Sequence, residues 1–217
     1  QPLEVTRGAI VEVNAAPGLR MHLEPSAGKG RAVGEAIIES MFQPGDDARI
    51  PIVAVTGTNG KTTTTRCIAH ILARTGLRVG MTCTDGIYVE GRHIDTGDCS
   101  GAKSARAVLM HPRVDAAVLE TARGGILREG LGFDLCDVAI VTNVGEGDHL
   151  GLNGIDEIRD LARVKAVPVR AVSARGAAVL NADDPLVVEM AKLSRGTVVY
   201  FSRNESSPVL VAHRAAG

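Results

Sequence analysis

Residues 52–65 read IVAVTGTNGKTTTT, and this stretch restricts the fold of the chain more than any other. Ile52 to Val55 is apolar and rich in β-branched residues, which is the composition of a strand buried on both faces. Gly57 and Gly60 follow. Lacking a Cβ, they allow sharp or left-handed backbone turns and let the loop N–H groups approach an oxyanion. A helix then begins at Lys61, with unpaired first-turn N–H groups and the positive end of its macrodipole directed at the loop. A strand, a glycine loop and a helix in immediate succession form a phosphate cradle made from Gly57, Thr58, Asn59, Gly60, Lys61, Thr62 and Thr63. Lys61 brings a point charge to the outer phosphates of ATP, and the Thr62 hydroxyl is suited to a magnesium ion between them. Val55 stands where the usual Walker pattern has its first glycine, so the loop reads GTNGKT. A glycine turn that binds nothing is the alternative.

Downstream of the loop, β-type apolar runs alternate with helical ones, the mark of a mostly parallel sheet covered by helices. Strands are expected at Ile52 to Thr56, Val79 to Thr82, Ala116 to Glu120, Val138 to Asn143, Ala177 to Leu180 and Val198 to Phe201. Helices are expected at Lys61 to Arg74, Ser104 to Met110, Ile155 to Val169 and Pro185 to Leu193. In the first of these, Cys67, Ile68, Ile71 and Leu72 make the inward stripe, and His70 is a surface or core residue. Tyr88 to Ile94 forms a small hairpin turning at Glu90 and Gly91, inside an otherwise polar loop. The fold class is therefore α/β of the P-loop type. Before it, Ala9 to Val13 suits a strand and Arg31 to Phe42 a helix with Val33, Ile37, Ile38 and Met41 on one face. Pro44 to Arg49 is a polar turn cluster that marks the boundary between residues 1–45 and 46–217.

Composition removes several function classes. The 217 residues carry a formal net charge of -1 without a basic block, and aromatics are 2%, so neither the charge nor the stacking platforms of a nucleic-acid binder are present. No apolar run approaches the ~20 residues that span a bilayer, no signal peptide is evident, and a cytoplasmic protein is expected. Cys67, Cys83, Cys99 and Cys136 show no CxxC spacing and read as small buried or half-buried thiols.

Glu120 closes the strand Ala116 to Glu120, where open α/β sheets bind ligands. A buried acid there needs a partner, which makes it a candidate for the magnesium that Thr62 also touches. Capping the next turn, or pairing with Arg123 or Arg128, are the other uses open to it. Asn143 ends a further strand and joins the nucleotide-binding set, and the turn after it carries Glu146, Asp148 and His149. His149 can ligate a metal, cap a helix or donate a hydrogen bond. Lys165 adjoins the apolar stripe Ile158, Leu161, Ala162 and Val164, as a snorkelling lysine also would. Asn181 and Asp183 in NADDP are placed to cap the helix opening at Pro185, and Asp184 is structural with them.

GTNGKTTT resembles the ATP-binding loop of the Mur ligase superfamily, whose members join an amino acid to a carboxylate with ATP. ETARGGILREGLGFD at 120–134 looks like the corresponding stretch of the cyanophycin synthetase family, and GAIVEVNAAPG at 8–18 resembles the end of an ATP-grasp domain. There, Glu12 and Asn14 would share a magnesium from one face of a strand; an ordinary polar strand end reads the same. The order of these motifs is similar to the junction of ATP-grasp and Mur-like halves in that family. This resemblance implies a ligase forming carbon–nitrogen bonds from ATP, arginine and an aspartate polymer, and a homo-oligomer at full length. It implies a second magnesium held by His149 of DHLG and by Lys165 as a carbamate. Carbamylation requires a neutral, partly desolvated amine near a cation. It also places Asp85, Asp98, Ser100, Lys103, Ser104 and Arg106 near the acceptor substrate. The superfamily's C-terminal domain is expected to lie outside these residues. Other Mur-type ligases, or an inactive nucleotide-binding fragment, are the competing assignments.

Overall fold

The computed structural model describes Val5, Gly8, Ala9 and residues 12–42, 44–145, 151 and 154–216. It divides into two compact units, 1–49 and 50–217. In the first, α1 (Arg20–Leu23) and α2 (Val33–Met41) are the described helices. Ala9 and residues 12–13, expected to lie in a strand from Ala9 to Val13, have no regular structure. The apolar face expected on α2 is present but bare, with Ile38 and Met41 56% and 66% exposed.

The second unit is built on one sheet whose strands are β1 (Ile52–Thr56), β2 (Val79–Cys83), β3 (Gly86–Val89), β4 (Arg92–Thr96), β5 (Ala116–Glu120), β6 (Cys136–Val141), β7 (Val172–Asn181) and β8 (Thr197–Phe201). Their order is β4-β3-β2-β5-β1-β6-β7-β8, and only the hairpin pairs β2–β3 and β3–β4 are antiparallel. The α/β class with a mostly parallel sheet is thus as expected. The hairpin turns at Glu90 and Gly91, both with positive φ (51° and 75°), the conformation that two-residue hairpin turns demand.

Because β1 lies between β5 and β6, the chain leaves it in one direction and returns on the other side. That reversal opens a crevice at the carboxyl end of β1, the position where doubly wound sheets take ligands. Alternation along β1 divides the core. Ala54 joins Leu119, Ala139 and Leu180 on one face, and Val55 joins Val118, Met81 and Cys83 on the other. The first face is covered by α4 (Ala102–Leu109), α5 (Arg123–Glu129), α6 (Ile158–Lys165), α7 (Val167–Arg170), α8 (Pro185–Val188) with its 3-10 extension Glu189–Leu193, and α9 (Pro208–Ala215). On the second face α3 (Lys61–Arg74) covers β1, β2 and β5.

Several expectations are corrected. α3 meets the sheet through Thr65 and Ala69, with Ile68 and Leu72 half-buried beside them, whereas Cys67 is exposed and Ile71 is 62% exposed. Small residues let the helix lie close to the sheet, and Cys67 and Ile71 fall outside that arc. The single helix expected from Ile155 to Val169 is two, Ile158–Lys165 and Val167–Arg170, because Pro168 has no N–H to continue the helical ladder and sits in the first turn of the second helix. The helix expected from Ser104 begins at Ala102, β7 starts at Val172, and α5 and α9 were not anticipated. Asp184, rather than Asn181 or Asp183, caps α8 by accepting from the Leu186 and Val187 amides. Among the described residues no helix is long and apolar enough to cross a membrane.

Cysteine chemistry tests this packing. Cys67 is exposed while Cys83, Cys99 and Cys136 are buried, and burial followed by the nearby Asp137 charge pushes the Cys136 thiol up to about 12. A maleimide should therefore label Cys67 in the native chain and reach the other three only after unfolding, as peptide mapping would reveal. Rapid native labelling of Cys136 would contradict the assigned core.

Candidate active site

The site lies at the carboxyl edge of β2, β5, β1, β6 and β7. Gly57 leaves β1 at φ 145°, and a Cβ there would sit 1.9 Å from Thr142 Oγ1, so no other residue fits. Gly60 takes the left-handed region (φ 84°, ψ 0°) immediately before α3, and a Cβ on it would meet open space. The loop is pinned to the segment after β6. Thr58 N donates to Asn143 O at 2.9 Å, Asn59 N to Asn143 Oδ1 at 2.9 Å, and Asn143 Nδ2 returns to Asn59 O at 3.0 Å. Gly145 N reaches Thr58 Oγ1 at 2.9 Å and Thr142 Oγ1 reaches Asn59 O at 2.7 Å.

These bonds divide the loop amides into two sets. Those of Thr58 and Asn59 are engaged with protein, so the amides from Gly60 to Thr63 form the donor array, and the helix ladder begins with Thr64 N on Gly60 O at 3.0 Å. Lys61 Nζ folds back to Thr58 O at 2.9 Å, within reach of the same space.

Across the crevice, Thr62 Oγ1 donates to Glu120 Oε2 at 2.8 Å. Glu120 is 2% exposed, and its carboxylate also accepts from Thr84 N at 3.2 Å and Thr84 Oγ1 at 2.9 Å. Thr84 was not anticipated from sequence: it follows β2, and only the adjacency of β2 and β5 brings it to Glu120. A carboxylate and a threonine hydroxyl in contact are hard oxygen donors, the chemistry magnesium selects, and an ion taking one or two protein oxygens fits this pair. Of the alternatives for Glu120, capping is not its use, because Ala122 stands at the N-cap of α5 without a side-chain cap bond.

Lys165 is fully buried at the end of α6, one turn after Leu161 on the same stripe, and Nζ donates to Gly57 O at 2.8 Å. The helix thus delivers a nitrogen to the loop itself. His149, Glu146 and Asp148 lie outside the described residues. Asp85 pairs with Arg66 at 2.6 Å, Asp98 accepts from the Ser100 amide and hydroxyl, and Lys103 and Arg106 are exposed on α4.

Beside the loop is an open cavity of about 580 Å³. Its floor is apolar, from Ile140, Val179 and Phe201, and its upper rim includes Asn59, Asn143 and Asn181. Asn181 Nδ2 donates to Thr142 O at 2.9 Å, and Asp184 Oδ2 accepts from Val144 N at 2.6 Å, so β7 and the cap of α8 hold the segment that holds the loop. Asp183 is kept below the usual carboxylate range by hydrogen bonds from the Ser202 hydroxyl and the Arg203 amide.

The glycine loop is thus clasped by the segment after β6, and its threonine meets a buried acid at the end of β5, four strands later in the sequence. The sequence profile of the Mur ligase middle domain matches residues 55–215. The chain belongs to the Mur ligase middle domain family. It is 54% identical over 213 residues to the cyanophycin synthetase of Synechocystis sp., covering 98% of this chain and 24% of that protein. The Nostoc sp. cyanophycin synthetase is 49% identical over 217 residues. The UDP-N-acetylmuramoyl-L-alanyl-D-glutamate–2,6-diaminopimelate ligase of Pseudomonas syringae pv. tomato is 31% identical, covering 86% of this chain and 39% of its own length. A solved structure of a ligase of that name superposes with a TM-score of 0.61 at 22% identity, covering 85% of this chain and 40% of its own, and shares the fold. The chain spans about a quarter of the length of the cyanophycin synthetases it matches, 24% in each case cited.

The middle-domain loop depends on Gly57. Replacing Gly57 with Ala should cost about 2–3 kcal/mol or more, because positive φ and a Cβ clash with Thr142 add. Urea unfolding would measure it, and an unchanged midpoint would show that the loop packs differently.

Proposed function

We propose that this chain is the ATP-binding central domain of a cyanophycin synthetase-type ligase, adding arginine to the side-chain carboxylate of an aspartate polymer, with residues 1–45 forming the end of a preceding ATP-grasp domain. The contact of Thr62 with Glu120 at 2.8 Å across the β1–β5 crevice carries the nucleotide reading. The choice among Mur-type ligases is supported by 54% identity spread over both units, against 31% for the peptidoglycan-precursor ligase.

On this reading the amides of Gly60 to Thr63 and the Lys61 ammonium take the outer phosphates of ATP, and the nucleoside lies in the cavity over Phe201. Thr62 and Glu120 would hold magnesium, which would supply positive charge to offset that of the phosphates. Thr84 fixes the Glu120 carboxylate so that one oxygen stays toward Thr62. The acceptor carboxylate attacks the terminal phosphorus, ADP leaves, and an acyl phosphate results. The arginine amine then attacks the acyl carbon, inorganic phosphate leaves, and the nitrogen loses a proton to give the amide. Lys61 and the loop donors lower the barrier by meeting charge as it moves onto the bridging oxygen. Lys165, as a carbamate, and His149 are assigned to a second magnesium near the acceptor carboxylate, where two anions must meet. The bond from Lys165 to Gly57 O gives Lys165 an independent part in holding the loop.

Two experiments follow. Thr84→Val removes the hydroxyl bond to Glu120 while keeping the residue's shape and its backbone amide bond, so magnesium-dependent ATP affinity should fall about tenfold in calorimetric titration, with magnesium-free binding little changed. Equal loss in both conditions would detach Thr84 from the ion. In the full-length ligase, Lys61→Ala should abolish ADP release with arginine and a β-aspartyl-arginine primer while leaving the ligand-free melting temperature unchanged. Wild-type turnover would refute the role of Lys61, and ADP release stimulated by diaminopimelate instead of arginine would move the protein to the peptidoglycan class.

A further inference from the structure

On the far side of α6 from Lys165, a second concavity of about 270 Å³ runs between α6–α7 and the α8–3-10 segment. The face Arg159, Ala162, Arg163, Ala166 and Arg170 follows helical spacing into it, and Leu186, Met190 and Leu193 meet it from the other wall, with Lys192 at the rim. Its base presents Ala162 and the half-buried Leu186 and Leu193, over Ala166 and Met190 that belong to the core. Its margins carry Arg159, Arg163, Arg170 and Lys192 against Glu189, the single acid among the described lining residues.

The charges there are only partly answered. Arg163 is held by Asp160 at 2.6 Å on its own helix, and Arg159 reaches Glu189 across the groove at 3.8 Å, a loose contact between exposed groups. Arg170 and Lys192 have no ion-pair partner among the described residues. The protein as a whole carries a net charge of -1, so this excess of positive charge is local to the groove. Neither the nucleotide loop nor the Glu120 pair uses any of these side chains.

We propose that this groove docks an acidic peptide segment of a partner, with apolar side chains on the Leu186–Met190–Leu193 wall and carboxylates paired to Arg170 and Lys192. Charge complementarity selects the acidic character, since Arg170 and Lys192 lack an anionic partner among the described residues and a carboxylate can pair with each. The apolar base selects a peptide over a nucleic acid, which would need aromatic platforms that the groove lacks. Its concavity favours an inserted segment over a flat lipid surface.

The test is anisotropy of a short fluorescein-labelled peptide of glutamate and leucine on the 217-residue chain, at low and at elevated salt. Binding should weaken with salt, and the double substitution Arg170→Glu with Lys192→Glu should weaken it about tenfold or more. Lys61→Ala should bind the peptide as the parent does, which separates this groove from the phosphate loop. Should the charge-reversed chain fail to fold, Arg170→Gln with Lys192→Gln makes the same comparison with smaller perturbation. Equal affinity of parent and folded double variant would overturn the proposal, as would loss of binding in Lys61→Ala. A single-stranded oligonucleotide held more tightly than the peptide through Arg170 and Lys192 would also overturn it.

Discussion

The hydrogen bond from Thr62 to Glu120 sets the terms for the rest of this domain, because it can form only if several distant decisions in the chain agree. Thr62 must stand in the first turn of α3, which requires the left-handed Gly60 ahead of it. Glu120 must reach the same level of the sheet, which the parallel register of Val55 with Glu120 provides. A carboxylate that is 2% exposed is costly to bury alone, and the three donors from Thr62 and Thr84 offset that cost. The sheet order does the rest: β5 and β1 are neighbours although residues 57–115, with α3, β2, β3, β4 and α4, separate them in sequence.

Rigidity on the opposite side of the loop has a different source. Asn143, Thr142 and Gly145 hold Thr58 and Asn59, and are held in turn by Asn181 and Asp184 from beyond β7. Hydrogen bonds in such a chain order one another, so the segment after β6 is fixed even though it is not part of a regular element. NADDP therefore acts at the loop through the backbone of residues 142–144. A helix cap and a nucleotide loop share one aspartate, Asp184, one oxygen of which serves α8 and the other Val144.

Legibility in the sequence follows this division between local and non-local causes. β1, α3, β5 and the hairpin turn were readable because each is specified by neighbours in the chain: β-branched runs, paired glycines, a two-residue turn. Lys165 was read only as adjoining the apolar stripe, where a snorkelling lysine would also stand, whereas the structure buries it fully, one turn after Leu161. What escaped was set by contacts across the sheet. Thr84 looks like any threonine at a strand end until β2 and β5 are known to be adjacent. The inward face of α3 was misjudged because hydrophobicity favours Cys67 and Ile71, whereas close approach to the sheet favours Thr65 and Ala69. The break before Pro168 was visible in principle, since a proline lacks the N–H that continues a helix and favours its first turn, but the apolar pattern runs through it without interruption.

A mostly parallel sheet is ordinarily covered on both faces, yet here α3 covers only one half of its face and leaves the β6–β8 half partly open, with Val199 44% and Phe201 39% exposed. Burying the part of each side chain that remains exposed would stabilise the fold by roughly 1 kcal/mol, so the open surface costs some stability. It adjoins the phosphate-binding end of the loop, where the cavity over Ile140, Val179 and Phe201 begins. On the proposed reading, the two facts have one cause. A helix laid over β6 to β8 would satisfy the sheet and close the apolar floor of Ile140, Val179 and Phe201 beside the loop, and ligands with flat apolar faces need such a floor. The domain keeps its second face half bare because the molecule that covers it is meant to come and go.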